Sequence, residues 1–493
     1  MGGLIMENYD LVVVGAGSSG ISAALTAAEA GLKVALLEKG DKFGGAGMFG
    51  AQGLFGANTK LQKEAGVNYS VKDAYEEILN YTHHRSDARI VKAIIKESAE
   101  TLAWMSKNGL ATELVTNTQE VHQNHPRTYH QYIDKFNGFK KMINKFENLS
   151  GSLFLKTSAK KLLQDNGRLS EIEITHDGTD ECMNTKNVIL ADGGFIGDKD
   201  LVKKNVNIDL NNLYSMGERK ATGDGLRMLG EIGGVNNYKP LLENHAASIV
   251  TNDKNPWENA SLATLSTLPL LWVDNSGKRF TNEDVVYDFA LWGNVTYTAG
   301  GYYYIIIDQD FVDYISKNEL DWTGSFERTF TLLQHLPMTH KVGPMKTLKQ
   351  ELDTALTSKA VFKADSLTDL AKLLNIDENN FVETTNQYNK LISKHVDDDF
   401  YKDQKFMKFP ICNGPFYALK AISTTLGTVG GGLVNEKFQA LTAGRKVIPG
   451  VYVVGNNAAG MFDSAYPTIE GLSNGFAWNS GRIAAKTIAK LNK

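Results

Sequence analysis

An apolar run over residues 10–14 leads into Gly15-Ala16-Gly17-Ser18-Ser19-Gly20, and an acid, Glu38, ends the next apolar run. Residues of these types at this spacing can grip a dinucleotide. Gly15 permits a tight turn, Gly17 lets backbone approach a pyrophosphate, and Gly20 lets a helix pack on the preceding strand, so that the start of the helix faces the anion. Glu38 stands where a carboxylate accepts hydrogen bonds from a ribose hydroxyl pair, and it would repel a 2′-phosphate. A second glycine patch, Gly44-Gly45-Ala46-Gly47, follows Lys39. Plain NAD-binding units do not need that patch, whereas FAD enzymes run such a segment along the pyrophosphate and ribityl chain. The indicated cofactor is FAD.

These residues need a strand, a turn, a helix and a second strand to hold them. Small apolar residues over 21–30 recur at helical spacing, Gly31 closes that helix, and residues 33–37 read as the second strand. Glycine-rich strand ends recur near 188–194, 222–225, 427–432 and 451–455. Between about residues 240 and 408 the pattern changes to many aromatics, a strand over 302–307 and an amphipathic helix around 367–374. The three consecutive tyrosines 302–304 read as a strand with alternating faces. A last helix over 475–491 follows Gly471-Leu472-Ser473-Asn474. The expected fold class is α/β: a Rossmann-like FAD-binding domain, residues 1–240 and 409–493, with an inserted α+β capping domain, residues 241–408.

The 493 residues suffice for two domains with their own cores. A net charge of −4 without a block of Lys or Arg argues against nucleic acid as partner. Cys182 and Cys412 stand alone, so no disulfide framework, metal site or haem attachment is expected. No apolar run is long enough to span a membrane, and the first ten residues lack the basic and apolar regions of an export signal. A cytoplasmic enzyme acting on a small molecule is the expectation.

Seven segments in order, VVVGAGSSGISAAL, LLEKGDKFGG, VILADGGF, ATGDGLRM, GKRFTNED, GPFYALKA and VIPGVYVVGNNAAG, resemble the fumarate reductase and succinate dehydrogenase flavoprotein superfamily. That superfamily also holds urocanate reductase, 3-ketosteroid dehydrogenases and reductases of cinnamate-like acids and vinylphenols. The resemblance implies that the turn from Gly15 through Ala16, Gly17, Ser18 and Ser19 to Gly20 meets the pyrophosphate, with Glu38 and Lys39 at the adenine ribose. It implies that Gly44, Gly45, Ala46, Gly47, Ala51, Gln52 and Gly53 follow the isoalloxazine side. Ala159, Ala191, Asp192 and Gly193 fall near the adenosine, and Asp224 faces the cofactor. Gly455 and Asn456 fall toward the ribityl chain, with Asn456 or its neighbour Asn457 at the place where many relatives carry a glutamate. Leu472, Ser473 and Asn474 lie at the flavin pyrimidine edge, where the helix start would stabilise negative charge on reduced flavin. Respiratory relatives attach FAD through a histidine four residues before the Gln of an AQG-type segment; Met48 holds that place here, so the FAD is expected to be non-covalent.

The departures from the dicarboxylate pattern concern the substrate. The cap arginine that delivers a proton in fumarate reductases is matched by Tyr287, the carboxylate-binding histidine by Gly427, and past residue 450 only Arg482 remains as an arginine, well inside the last helix. Each lost charge-assisted hydrogen bond removes about 1.5–3 kcal/mol of carboxylate binding. The segment DSAYPTIEGLSNG brings Tyr466-Pro467, similar to the second tyrosine of the ketosteroid enzymes, though Glu470 interrupts the glycine run expected after it. The expected reaction is transfer of a hydride from reduced flavin to an activated C=C bond of an aromatic or hydrophobic substrate: a hydroxycinnamate, a vinylphenol or urocanate. Tyr287, protonated at pH 7 like an ordinary phenol of pKa near 10, is expected to supply the proton, and Tyr466 to bind the electron-accepting group. His245 matches the family's HPT-type carboxylate contact. His125, Arg127, Tyr129 and His130 read as surface or pocket wall. Two alternatives stand beside this reading, a 3-ketosteroid dehydrogenase or steroid ene-reductase and a fumarate reductase-like flavin subunit that needs an electron-transfer partner. NADH, another external donor or an electron-donor protein is expected to reduce the flavin, and the sequence does not show which.

Overall fold

The computed structural model describes residues 8–251, 255–326, 329, 331, 334, 336, 340–463, 465–466 and 469–492. The four buried residues of Leu11–Val14 form an inner strand of a six-stranded sheet. Its order is Gln439–Leu441, Val447–Val453, Val188–Leu190, Leu11–Val14, Val34–Leu37, Ser152–Phe154. All neighbours run parallel except the first pair. Val13 lies opposite Ile189 on one side and Leu36 on the other. Parallel strands covered on both faces need such continuous apolar sequence. The expected strand, turn, helix and strand unit is present, its helix running Ser18–Glu29.

The final helix, Leu472–Leu491, starts earlier than the apolar spacing indicated. It crosses the Ser18–Glu29 helix where a Cβ on Gly481 would fall 2.2 Å from the Ser19 carbonyl oxygen, so only glycine permits the approach. Gly471 caps the start with φ +74, a left-handed conformation that favours glycine. No side chain caps that end. The starts of the two helices meet, Ser18 Oγ donating to Asn474 Oδ1 at 3.2 Å.

A second sheet carries the capping layer, in the order Leu213–Ser215, Phe416–Gly431, Tyr302–Asp308, Leu271–Val273, with Tyr238–Ile249 and Val361–Ala364 also paired to Phe416–Gly431. Strands from outside residues 241–408 thus build into the cap sheet, and Phe416–Gly431 leads its chain back toward the nucleotide-binding sheet. The tyrosine run alternates as expected: Tyr303 stacks on Trp272 at 4.3 Å in one core, while Tyr302 and Tyr304 meet edge to face on the opposite side. The GKRFTNED segment is cap scaffold. Arg279 makes paired hydrogen bonds to Glu283 (2.8 and 2.7 Å) and to Asp397 (2.9 and 2.6 Å), and Lys402 lies 3.3 Å from Glu283. Among the described residues no helix is long and apolar enough to cross a membrane, and no cluster of side chains could hold a metal ion.

Candidate active site

A cavity of about 870 Å³ runs from the glycine turn to the underside of the cap. At the nucleotide end, Gly15 takes φ +99, and a Cβ there would come 2.6 Å from the Ala191 carbonyl oxygen. Gly17 differs: it has an ordinary φ of −82, and its missing Cβ faces open space with no protein atom within 4 Å. Sequence and fold therefore leave a ligand-sized gap where the backbone amides of a helix start converge, which suits a pyrophosphate.

Glu38 lines this end, its two oxygens accepting from Gly40 N at 2.7 Å and Ala16 N at 3.2 Å. Lys39 donates to Asp224 at 2.8 Å, and Arg227 reaches the other Asp224 oxygen at 2.9 Å. Burial would raise the Asp224 carboxyl, but Lys39, Arg227 and Thr222 together outweigh it and leave the group below its ordinary value. Asp192 accepts from Gly225 N at 2.9 Å and Asn457 Nδ2 at 2.5 Å, yet burial still raises it.

Along the cavity wall lie Ser18, Ser19, Gly45, Ala46, Gly47, Ala51, Gln52 and Gly53. Ala159, Ala191, Asp192, Gly193, Asn456, Ser473 and Asn474 also line it. Five residues expected at the cofactor stand behind the lining. Gly20 packs so tightly that a Cβ would overlap the Gly15 carbonyl oxygen, at 1.7 Å. Ala16 N is engaged with Glu38, Gly44 N with the Ala16 carbonyl, Gly455 N with Ser480 Oγ, and Leu472 is buried in the core. These shape the wall without facing the cavity.

The opposite end is aromatic. Phe289 and Phe326 sit 4.5 Å apart, Trp257 meets Phe326 edge-on at 4.8 Å, and the His245 ring lies 4.9 Å from Phe289. All four line the cavity, as do Tyr129 and Tyr466. Burial holds the His245 imidazole down at about 4, so it is neutral at pH 7, and its Nδ1 has no hydrogen-bond partner among the described residues. Pro467 lies outside the described residues.

Two acids at this end escaped the sequence reading. Glu470 closes one corner, accepting from Thr118 N and Thr118 Oγ1 at 2.8 Å each and from Gln119 N at 3.0 Å. His122 Nδ1 lies 3.4 Å from the same carboxyl. Gln119 Oε1 in turn accepts from Phe289 N at 2.7 Å and ties the cap to the wall. Glu243, two residues before His245 on Tyr238–Ile249, lines the cavity although only 3% exposed. It accepts a short hydrogen bond from Ser473 Oγ and one of 2.9 Å from Asn456 Nδ2. Burial pushes it up to about 7. The signal was in the sequence: period-two alternation puts residue 243 on the face of residue 245. Bulges between 242 and 247, with Ala246 at φ +63, obscure the pattern.

Tyr287 requires a correction. It does not line the cavity; its hydroxyl donates to the Thr323 carbonyl at 2.8 Å and its ring stacks on Phe406 at 5.5 Å. The short turn Glu283–Tyr287 is steered by the Arg279 ion pairs, which turn the phenol into the cap's own core. Arg482 is likewise remote, bound to Glu97 at 3.1 Å and Glu100 at 2.9 Å. Gly427 does line the cavity, and a Cβ there would lie 2.9 Å from Glu243 Oε2. At the aromatic end, no Lys or Arg appears among the described lining residues; the lysines and the arginine that line the cavity, Lys39, Lys42, Lys220 and Arg219, belong to its nucleotide end.

Known proteins resemble this chain in sequence and in fold. The chain is 29% identical to the vinyl phenol reductase of Lactiplantibacillus plantarum, over 98% of this chain and 97% of that protein. It is 26% identical to the cytochrome-type fumarate reductase of Shewanella frigidimarina, over 99% of this chain and 78% of that one. The solved 3-ketosteroid delta1-dehydrogenase of Sterolibacterium denitrificans has the same fold, with a TM-score of 0.75 at 18% identity, covering 98% of this chain and 100% of that one. The FAD binding domain family matches residues 10–469. With that match spanning both sheets and a cavity shaped for a dinucleotide, the chain belongs to the FAD binding domain family and is an FAD-dependent oxidoreductase.

Proposed function

We propose that the protein reduces an activated C=C bond of an uncharged aromatic substrate of the vinylphenol type, with hydroxycinnamates and urocanate-like acids as poorer substrates. The observation that carries this reading is the composition of the aromatic end of the cavity. It has three aromatic rings, two phenols, a neutral imidazole, two carboxyls and, among the described lining residues, no cation.

FAD would be held without a covalent bond, since Met48 offers no imidazole. Gly15 and Gly17 would meet its pyrophosphate, Glu38 its ribose, and Ser473 and Asn474 its pyrimidine edge. Bound there, it supplies a hydride for one alkene carbon. Electrons would reach it from NADH or a donor protein.

The chain's own residues do the rest. Phe289, Phe326 and Trp257 enclose an aromatic ring and exclude water. His245, neutral and with a free ring nitrogen, can exchange a hydrogen bond with a phenol hydroxyl, but it offers a carboxylate no charge. Tyr466 is the expected phenol that reaches the cavity, and burial keeps it protonated at neutral pH. It would donate a proton to the second alkene carbon. A small dianion would miss its cationic clamp and meet Glu470, whose hydrogen-bonding partners at 2.8–3.0 Å all donate to it as to a carboxylate.

The test is an alkene panel. Holoenzyme photoreduced without oxygen is mixed with 4-vinylphenol, 4-hydroxycinnamate, urocanate, a 3-oxo-4-ene steroid and fumarate while flavin reoxidation is followed. Fastest saturable reoxidation is expected with 4-vinylphenol. Reoxidation by the steroid alone, or by fumarate alone, would replace this reading with the corresponding alternative.

A further inference from the structure

A buried carboxyl with no cation beside it needs a reason to persist in a cavity wall. Among the described residues Glu243 has two partners, Ser473 Oγ and Asn456 Nδ2, both neutral donors. Ser473 also lies close enough to the Tyr466 phenol to influence its proton, and both line the same cavity. The three side chains come from three elements: Glu243 from Tyr238–Ile249, Tyr466 from the loop before the final helix, and Ser473 from that helix's first turn. Side by side in the cavity wall they are placed in the order phenol, hydroxyl, carboxyl, with the hydroxyl already hydrogen-bonded to the carboxyl.

The serine has a single proton, and this decides which way the chain points. With Glu243 ionised, Ser473 must donate to it, so the Tyr466 proton turns toward Ser473 and away from the cavity. With Glu243 protonated the bonds can reverse, carboxyl to serine to phenol, and the Tyr466 proton is free to face a substrate. Gly427 makes room for the device. A Cβ at that position would press on Glu243 Oε2 at 2.9 Å and stand 3.6 Å from Asn456 Nδ2.

We propose that Glu243 is the proton store of the active site, recharging Tyr466 through Ser473; this rests on the alkene-reductase reading above. In the step, the Tyr466 O–H bond breaks as a C–H bond forms on the alkene carbon next to the one that has taken hydride. Ser473 passes its proton to the phenolate oxygen, and the Glu243 carboxyl passes its own to Ser473 and is left ionised. Hydride and proton together saturate the double bond, and the carboxylate regains a proton from water when the product leaves. Glu243 touches no reacting atom and acts through Tyr466.

The surroundings allow Glu243 to titrate near neutrality. Facing it are Ser473 from the final helix, Asn456 from the turn Gly455–Asn457 and Gly427 from Phe416–Gly431, none of which is ionisable. The loop before the final helix contributes Tyr466, and its own strand adds His245 on the same face, which is neutral above about pH 4. Among the described residues no Lys or Arg forms an ion pair with it, and burial places its midpoint at about 7.

The experiment compares wild type, Glu243→Gln, Glu243→Asp and Ser473→Ala as FAD-loaded proteins, each checked for flavin content. Reoxidation of the photoreduced enzyme by 4-vinylphenol is measured from pH 5 to 9, and the protonated-carboxyl band is followed over the same range by infrared difference spectroscopy of the oxidised holoenzyme. The wild-type rate is expected to fall about tenfold per pH unit above about 7 as the carboxyl band disappears. Glu243→Gln should lose the band and react at least about tenfold more slowly at pH 6, without the fall above 7. Glu243→Asp should keep a sloping profile, and Ser473→Ala should keep the band but react slowly. A Glu243→Gln enzyme with the wild-type rate and slope overturns the proposal, as does a wild-type band that does not titrate between pH 5 and 9. If no aromatic alkene reoxidises the wild-type flavin, the alkene reading fails on its own, while the infrared titration still reports on Glu243.

Discussion

Replacing Glu243 by Gln should change how stability depends on pH, by an amount the structure sets. An exposed glutamate titrates near 4.5, and burial moves Glu243 up to about 7. Below pH 4.5 the group is protonated whether the chain is folded or not, and it adds nothing to pH dependence. Between 4.5 and about 7 the unfolded chain has released this proton while the folded chain keeps it, so stability falls as pH rises. Above about 7 the loss is complete. At about 1.4 kcal/mol for each tenfold difference in proton affinity, the interval amounts to about 3 kcal/mol. The side chain is buried, so solvent screening takes little from that figure. Other groups titrate in this range too, and they cancel in the difference between wild type and variant because they are common to both. The assay is urea unfolding of the FAD-loaded proteins at pH 4.5 and pH 8. Relative to wild type, Glu243→Gln should gain about 3 kcal/mol on going from pH 4.5 to pH 8. A difference that stays flat within about 0.5 kcal/mol would refute the assignment of a raised midpoint to this carboxyl.

Other consequences follow from single contacts. Gly17→Ala meets no protein atom and keeps an allowed φ of −82, so its thermal unfolding without FAD should match wild type while FAD affinity falls at least about tenfold; unchanged affinity would move the pyrophosphate elsewhere. Gly20→Ala, with its Cβ 1.7 Å from a carbonyl oxygen, should instead fail to fold. Tyr287→Phe loses a hydrogen bond to Thr323 and should cost about 1 kcal/mol of stability with turnover intact, whereas Tyr466→Phe should keep FAD and slow alkene reduction by about 10²–10⁴. The reverse pattern would restore Tyr287 as the proton donor. Arg279→Met leaves Glu283 and Asp397 short of their buried partner, and a loss of about 3–5 kcal/mol is expected in chemical denaturation.

Local chemistry made the nucleotide end legible. The glycines of 15–20, the acid at 38 and the alternation of Tyr302, Tyr303 and Tyr304 depend on neighbours in sequence, and the fold places them accordingly. The aromatic end of the cavity depends on partners far along the chain. Glu470 meets Thr118, and Glu243 meets Ser473, across separations of 352 and 230 residues. No spacing rule reaches that far. Tyr287 misled because its motif is recognisable while the direction of its side chain is decided by Asp397 and Lys402, through the ion pairs that orient the turn before it. His245 is expected from the sequence as a catalytic-site carboxylate contact; the fold puts its ring in the cavity wall, and its neutral state follows from packing against Phe289 and Phe326, which sequence order does not reveal.

An aromatic substrate end with no cation among its described lining residues is the central claim, and one ratio tests it. Photoreduced holoenzyme offered 4-vinylphenol and fumarate in parallel should show a second-order rate constant for flavin reoxidation at least about 10²-fold higher with the vinylphenol, since two missing charge-assisted bonds remove about 3–6 kcal/mol from dianion binding. Fumarate reacting as fast as 4-vinylphenol, or faster, would contradict it.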